Sequence, residues 1–152
     1  MRAVLSVGSN MDDSRAHLAR VVDNFRSELI AHSSLYATAP WGGVRQPDFL
    51  NQTLIVEVDA TPKELLARCQ RLEKEANRVR EVRWGPRTLD VDIITIDGMQ
   101  SQDPQLTLPH PRAHERAFVL IPWLEIEPEA TLGGKPVAQI ADKLGHQGVK
   151  KL

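Results

Sequence analysis

The chain has 152 residues, 41% of them hydrophobic and 26% charged, with a formal net charge of −1. That length suits one domain, 1–152, with a real core, and the near-neutral charge excludes a global field that would draw the protein to nucleic acid or a membrane surface. A single cysteine, Cys69, excludes an internal disulfide and fits a reducing cytosol.

In chain order, residues 2–7 read as a buried strand ending in Gly8-Ser9-Asn10. The apolar run at the start is too short for a signal peptide, and nowhere does a run approach the roughly 18 residues of a membrane span. A helix is expected from Asp12 or Asp13, because Leu18, Val21, Val22, Phe25 and Leu29 recur at helical spacing. Residues 30–37 read as a second strand and 38–48, with Pro40, Gly42, Gly43 and Pro47, as a loop. Residues 50–59 alternate, with Leu54, Val56 and Val58 opposite Thr53, Ile55 and Glu57, which is a strand pattern. Thr61-Pro62-Lys63-Glu64 is a capping box with proline in the first turn, and Leu65, Leu66, Cys69, Leu72 and Ala76 form the buried face of the helix that follows.

Residues 78–89 lose that period and read as a long loop. The next strand covers 90–97, followed by a loop over 98–112. A short helix near 113–117, a strand near 117–121, a helix over 122–127 and a last helix over Pro136–Leu144 complete the reading. Gly133-Gly134-Lys135 reads as a turn. The core order is strand, helix, strand, strand, helix, strand. That is the α+β ferredoxin-like βαββαβ arrangement, a mostly antiparallel sheet with helices on one face, here with C-terminal additions. Such a fold hosts many functions, so function has to be read from side chains.

The informative run is Arg78-Val79-Arg80-Glu81-Val82-Arg83-Trp84-Gly85-Pro86-Arg87-Thr88-Leu89-Asp90-Val91-Asp92. On a strand, Asp90 and Asp92 point to one face. Two carboxylates so placed repel each other unless a cation lies between them, and magnesium takes such oxygen ligands together with water and phosphate. Guanidinium groups bind phosphate bidentately and hold their charge. Carboxylates for metal beside arginines for phosphate are the toolkit of phosphoryl transfer; the plain alternative is a solvated basic loop. Trp84 either packs locally or closes over a flat ring. His110, between Pro109 and Pro111, is either structural or a donor to phosphate. His110 and His114 lack a third ligand for zinc. No Walker-type loop and no Gly-x-Ser-x-Gly elbow is present.

The run from Arg78 through Asp92 closely resembles the 6-hydroxymethyl-7,8-dihydropterin pyrophosphokinase family. Gly8-Ser9-Asn10, Gln46-Pro47-Asp48-Phe49-Leu50-Asn51 and Leu108-Pro109-His110 resemble it in the same order. The resemblance implies a ferredoxin-like fold, ATP, two magnesium ions, a reduced pterin as acceptor, and AMP and the pterin diphosphate as products. It makes Asp90 and Asp92 the metal-bridging pair and Arg78 and Arg87 catalytic arginines on the triphosphate. Gln70, Glu73, Arg80, Thr107, His110 and Arg116 match positions around ATP. Thr38, Phe49, Asn51, Trp84, Asp90 and Phe118 match positions around the pterin. Phe49 stands where many relatives have tyrosine, and Trp41 where a smaller residue is common. Residues 39–48 and 79–88 are expected to close as lids. A cytoplasmic monomer without nucleic-acid or membrane partners is expected. The competing reading is a ferredoxin-like RNA-binding module in which Arg83, Trp84 and Arg87 grip a single strand; a third is another metal-dependent nucleotide transferase.

Overall fold

The computed structural model describes residues 1–10, 13–39, 48–78 and 89–152, with 77 and 78 as backbone only. Strand β1 (Arg2–Ser9) leads to helix α1 (Ser14–Asn24), a 3₁₀ turn over Arg26–Glu28, and two short strands, β2 (Leu29–His32) and β3 (Tyr36–Thr38). β4 (Phe49–Glu57), α2 (Pro62–Arg78) and β5 (Asp90–Ile96) complete the core order. A small hairpin, β6 (Ser101–Asp103) and β7 (Leu106–Leu108), and a 3₁₀ turn over Ala113–Glu115 precede α3 (Ala117–Ile126). The chain ends with the hairpin β8 (Thr131–Leu132) and β9 (Lys135–Pro136), then α4 (Val137–Leu144) and β10 (Lys150–Lys151).

The main sheet runs β10-β3-β4-β1-β5, with β2 also paired to β4, and every pairing is antiparallel. This is the ferredoxin-like order expected from the alternation of strands and helices. Ala3, Val4, Leu5 and Val7 of β1 are apolar because both faces of the strand are covered there. On one face Ala3, Leu5, Val7, Leu54, Val56 and Ile93 pack against Leu18, Val21 and Phe25 of the α1 region and Leu65, Cys69 and Leu72 of α2. On the other, Val4, Ile55 and Ile94 pack against Val119, Leu120 and Trp123 of α3, with Val137 of α4 behind them. The C-terminal additions therefore cover part of the face that the first two helices leave open.

Several local expectations hold. Glu64 N–H donates to Thr61 Oγ1 at 3.1 Å, and Thr61 N–H to Glu64 Oε1 at 2.9 Å, a reciprocal capping box. Lys135 sits in the β8–β9 hairpin, whose Gly133 and Gly134 both adopt positive φ.

Other expectations need correction. The strand read over 30–37 is two strands, because Ser33 turns inward: its N–H donates to Thr53 O and its Oγ accepts from Thr53 N–H, both at 2.9 Å. The loop read over 98–112 contains the β6–β7 hairpin. The strand read near 117–121 is the first half of α3, which runs on through Pro122. Helix α1 stops at Asn24, so Phe25 is buried as its C-cap and Leu29 opens β2.

Candidate active site

Strand alternation builds the site. On the face shared with α3, β1 presents Val4, Ser6 and Gly8, β4 presents Ile55, Thr53 and Asn51, and β5 presents Ile94, Asp92 and Asp90. The register joins them in rungs: Val4 opposite Ile55, Ser6 between Thr53 and Asp92, Gly8 between Asn51 and Asp90. The lower rung is apolar and lies under α3. The upper two are polar and open into a cavity of about 410 Å³.

That cavity gathers Thr38, Phe49, Asn51, Asp90, Asp92, Arg116 and Phe118, all singled out from the sequence. Asp90 and Asp92, both half-buried, lie side by side as their spacing required. Asn51 is buried, and its Nδ2 donates to Thr38 Oγ1 at 3.3 Å. A Cβ on Gly8 would stand 2.9 Å from Asn51 Oδ1, so only glycine leaves that amide where it is. Arg116 places its guanidinium carbon 5.6 Å from the centre of the Phe118 ring, a cation–π contact at the cavity wall.

Other expected residues fall around this centre rather than in it. Glu73 Oε2 accepts from Val91 N–H at 3.0 Å, so α2 holds β5 between its two aspartates. Gln70 is exposed on α2. Thr107 Oγ1 donates to Asp103 O at 3.0 Å within the small hairpin. His110 is tied to β5 by its N–H, which donates to Ile94 O at 2.8 Å, and its Nδ1 accepts from Arg112 N–H at 3.2 Å. The ring hydrogen of the neutral form is thereby left on Nε2. Burial pushes the His110 pKa below the usual histidine value; Asp92 opposes this, and Arg116 and Arg112 add to it. His110 also lines a neighbouring groove of about 540 Å³ that contains Lys135 and Lys143.

Arg80, Trp84 and Arg87, the side chain of Arg78, and nearly all of both expected lids lie outside the described residues. Sequence reasoning missed Ser6, Arg112, Glu115, Gln147 and Val149 as cavity residues, and gave Gly8 no role. Gly8 had a signal, a glycine at the end of an apolar strand. Gln147 and Val149 had none, because they arrive from the far end of the chain.

Among the described residues, no group of three or more His, Cys, Asp and Glu side chains gathers as a metal cluster. The aspartate pair is instead a set of hard oxygen donors, which suits an ion that completes its shell with water and phosphate. The RNA-binding reading loses its surface. The sheet face such modules use is covered by α3 at one end and carries the two aspartates at the other.

Fold and cavity define a class: ferredoxin-like α+β proteins with a carboxylate pair, arginine and two phenylalanines around one cavity on the sheet. More closely, the chain belongs to the 7,8-dihydro-6-hydroxymethylpterin-pyrophosphokinase (HPPK) family, whose model matches residues 4–128. It is 47% identical over 158 aligned positions to the 2-amino-4-hydroxy-6-hydroxymethyldihydropteridine pyrophosphokinase of Mycobacterium bovis, covering 94% of this chain and 84% of that one. The protein of the same name from Methylorubrum extorquens is 40% identical over 155 positions, covering 99% of this chain and 98% of that one. Among solved structures, Plasmodium falciparum HPPK-DHPS wild type with SDX-DHP superposes with a TM-score of 0.67 at 13% identity, covering 93% of this chain. The present chain spans 43% of that longer one, and the likeness speaks for the fold alone.

Proposed function

We infer that the chain transfers a pyrophosphoryl group from ATP to the hydroxymethyl group of 6-hydroxymethyl-7,8-dihydropterin, giving the pterin diphosphate and AMP, a step of folate biosynthesis. The observation that carries the reading is the meeting, in one cavity, of Asp90 and Asp92 with Asn51, Phe49 and Phe118 and with Arg112 and Arg116. Groups suited to a flat ring and groups suited to phosphate thus share one cavity with a carboxylate pair.

Each residue has a physical task in that reaction. Phe49 and Phe118 offer faces for a flat ring. Asn51, steadied by Thr38, offers both a donor and an acceptor to the mixed edge of a pterin. Arg116 and Arg112 carry charge for the triphosphate, joined by Arg78, Arg80 and Arg87 from the run before β5. Trp84 is assigned to the pterin, and Gln70, Thr107 and His110 to ATP. A His110 that stays neutral at pH 7 offers an Nε2 hydrogen without an added positive charge. Glu73 serves the nucleotide side by fixing β5. The hydroxymethyl oxygen attacks the β-phosphorus in line, and positioning with fixed charge supplies most of the acceleration.

Asp90 and Asp92 would hold magnesium, two ions by the family resemblance. Bound there, magnesium supplies charge neutralisation and orientation of the triphosphate. The whole chain acts as one pyrophosphokinase domain, a cytoplasmic monomer. Among the described residues no helix is long and apolar enough to cross a membrane.

The test is mass spectrometry of the products from ATP, magnesium and the hydroxymethyl pterin. AMP with pterin diphosphate is expected; ADP with a monophosphate would refute the reaction. Asp92→Ala should lower turnover by at least about 10³, in line with the loss of a central charged group in phosphoryl transfer, with an unchanged circular dichroism spectrum. Near-normal turnover in that variant would remove the metal assignment.

A further inference from the structure

Helix α3 starts with an unusual residue. Its N-cap is Arg116, which makes no side-chain capping bond. An arginine has donors and no acceptor, so it cannot satisfy the N–H groups that every helix leaves open at its start. The acceptor comes from thirty residues away. Gln147 Oε1 accepts from Ala117 N–H at 3.1 Å, and Gln147 Nε2 donates to Glu115 O at 3.3 Å. One amide thus holds the backbone on both sides of Arg116, and the Arg116 side chain is left to face the cavity.

The C-terminal tail is built to deliver that amide. Gly145, Gln147 and Gly148 all have positive φ, and Gln147, at 49°, is the one non-glycine residue with positive φ among those described. Such a conformation is uncommon for a side chain that is not Gly, Asn or Asp. The turn lifts the chain off α4 and sends it back toward the sheet. There Lys150 and Lys151 pair with Ala37 and Tyr36, and Leu152 N–H donates to Leu35 O at 3.0 Å. Val149 is buried against Tyr36 and Ala117. Gln147 and Val149 both line the cavity. The family match ends at residue 128, well before this tail.

We propose that Gln147 is a positioning residue of the active site, a long-range cap on α3 that aims Arg116 at the nucleotide's phosphates. The proposal rests on the reading of Arg116 as a triphosphate contact. Steady-state kinetics of the full chain test it with Gln147→Gly, Arg116→Ala and the double variant. Glycine suits the positive φ, so the tail keeps its path while both hydrogen bonds go. Gln147→Met, similar in volume and also without them, serves the same comparison if the glycine variant does not fold.

Loss of the two bonds should raise the KM for ATP roughly five- to tenfold, with the KM for the pterin within about twofold of its starting value. In the Arg116→Ala background the same change should add less than about twofold, since residues acting through one another are not additive. An unchanged ATP KM in the single variant would overturn the proposal, as would an equal effect in both backgrounds, which is what general destabilisation produces. If Arg116→Ala alone left the ATP KM unchanged, the phosphate reading of Arg116 would fall first and take the proposal with it, a result distinct from the other two.

Discussion

Gly8 shows how a residue without a side chain can fix the position of a neighbour. Its missing Cβ leaves room for Asn51 Oδ1, 2.9 Å from where that carbon would stand. The atom in the way is the tip of a side chain, which can swing aside, so Gly8→Ala should fold with a melting temperature within a few degrees of the wild type. The swing breaks the bond from Asn51 Nδ2 to Thr38 Oγ1 and misaligns the amide that the proposed function assigns to the pterin. The KM for the pterin should rise roughly five- to tenfold, the worth of about one well-placed hydrogen bond, while the KM for ATP stays unchanged. An unaltered pterin KM would remove Asn51 from substrate recognition. Much of the cavity's lining was legible at this scale. The Asp-x-Asp spacing placed two carboxylates on one face from strand geometry alone, and the family resemblance supplied Thr38, Asn51 and both phenylalanines. Arg112 and Gln147 were hidden, since their places in the cavity depend on where a turn and a distant tail happen to meet the sheet.

At the level of elements, legibility followed periodicity. α2 declared itself through its capping box and apolar stripe, and β4 through its alternation. α3 did not, because it is buried on most sides: an unbroken apolar run has no helical period to detect, and Pro122 looked like a helix start. β10 has two residues and exists only through its pairing with β3. One contact between elements was equally hidden, the clamp by which Arg68 of α2 grips the end of α1. Its guanidinium donates to both Glu28 oxygens at 3.0 and 2.7 Å and to Asn24 Oδ1 and O at 2.8 and 2.7 Å, and lies 3.9 Å above the Phe25 ring. The pair is partly open to solvent, which weakens it. Arg68→Ala should therefore cost about 1.5–2.5 kcal/mol in urea unfolding at neutral pH. The hydrogen bonds from Arg68 hold the Glu28 carboxyl below its ordinary value, against an opposing effect of burial. The unfolded chain thus takes up its proton first as pH falls. The contribution is complete above about pH 4.5 and disappears as pH drops through the folded value. The gap between wild type and Arg68→Ala should narrow in acid; a gap constant from pH 7 to pH 3 would assign the effect to packing on Phe25 instead.

The described residues are organised around one main sheet with a core on each face. Cys69 belongs to the core under α1 and α2, and Trp123 to the core under α3. Both are essentially inaccessible, and Trp123 Nε1 donates to Glu127 Oε1 at 2.8 Å. The two cores have β1, β4 and β5 in common, with Leu5 and Val7 facing one and Val4 the other. Neither can melt without exposing the back of the other, so unfolding should be a single cooperative transition. Two probes on opposite faces can check this. Burial, with a smaller push from Glu73, raises the Cys69 thiol to about 12, so the folded protein should resist alkylation at pH 8, where the thiolate would be the reactive form. Labelling of Cys69 across a urea series then reports one core. Fluorescence of Trp123, in a variant with Trp41→Phe and Trp84→Phe, reports the other. Coincident midpoints and slopes are expected. If Cys69 reacted at lower urea than Trp123 reported, the α1–α2 layer would open on its own. The C-terminal layer, with Gln147 at its tip, would then be a separately stable unit rather than part of a single pyrophosphokinase domain.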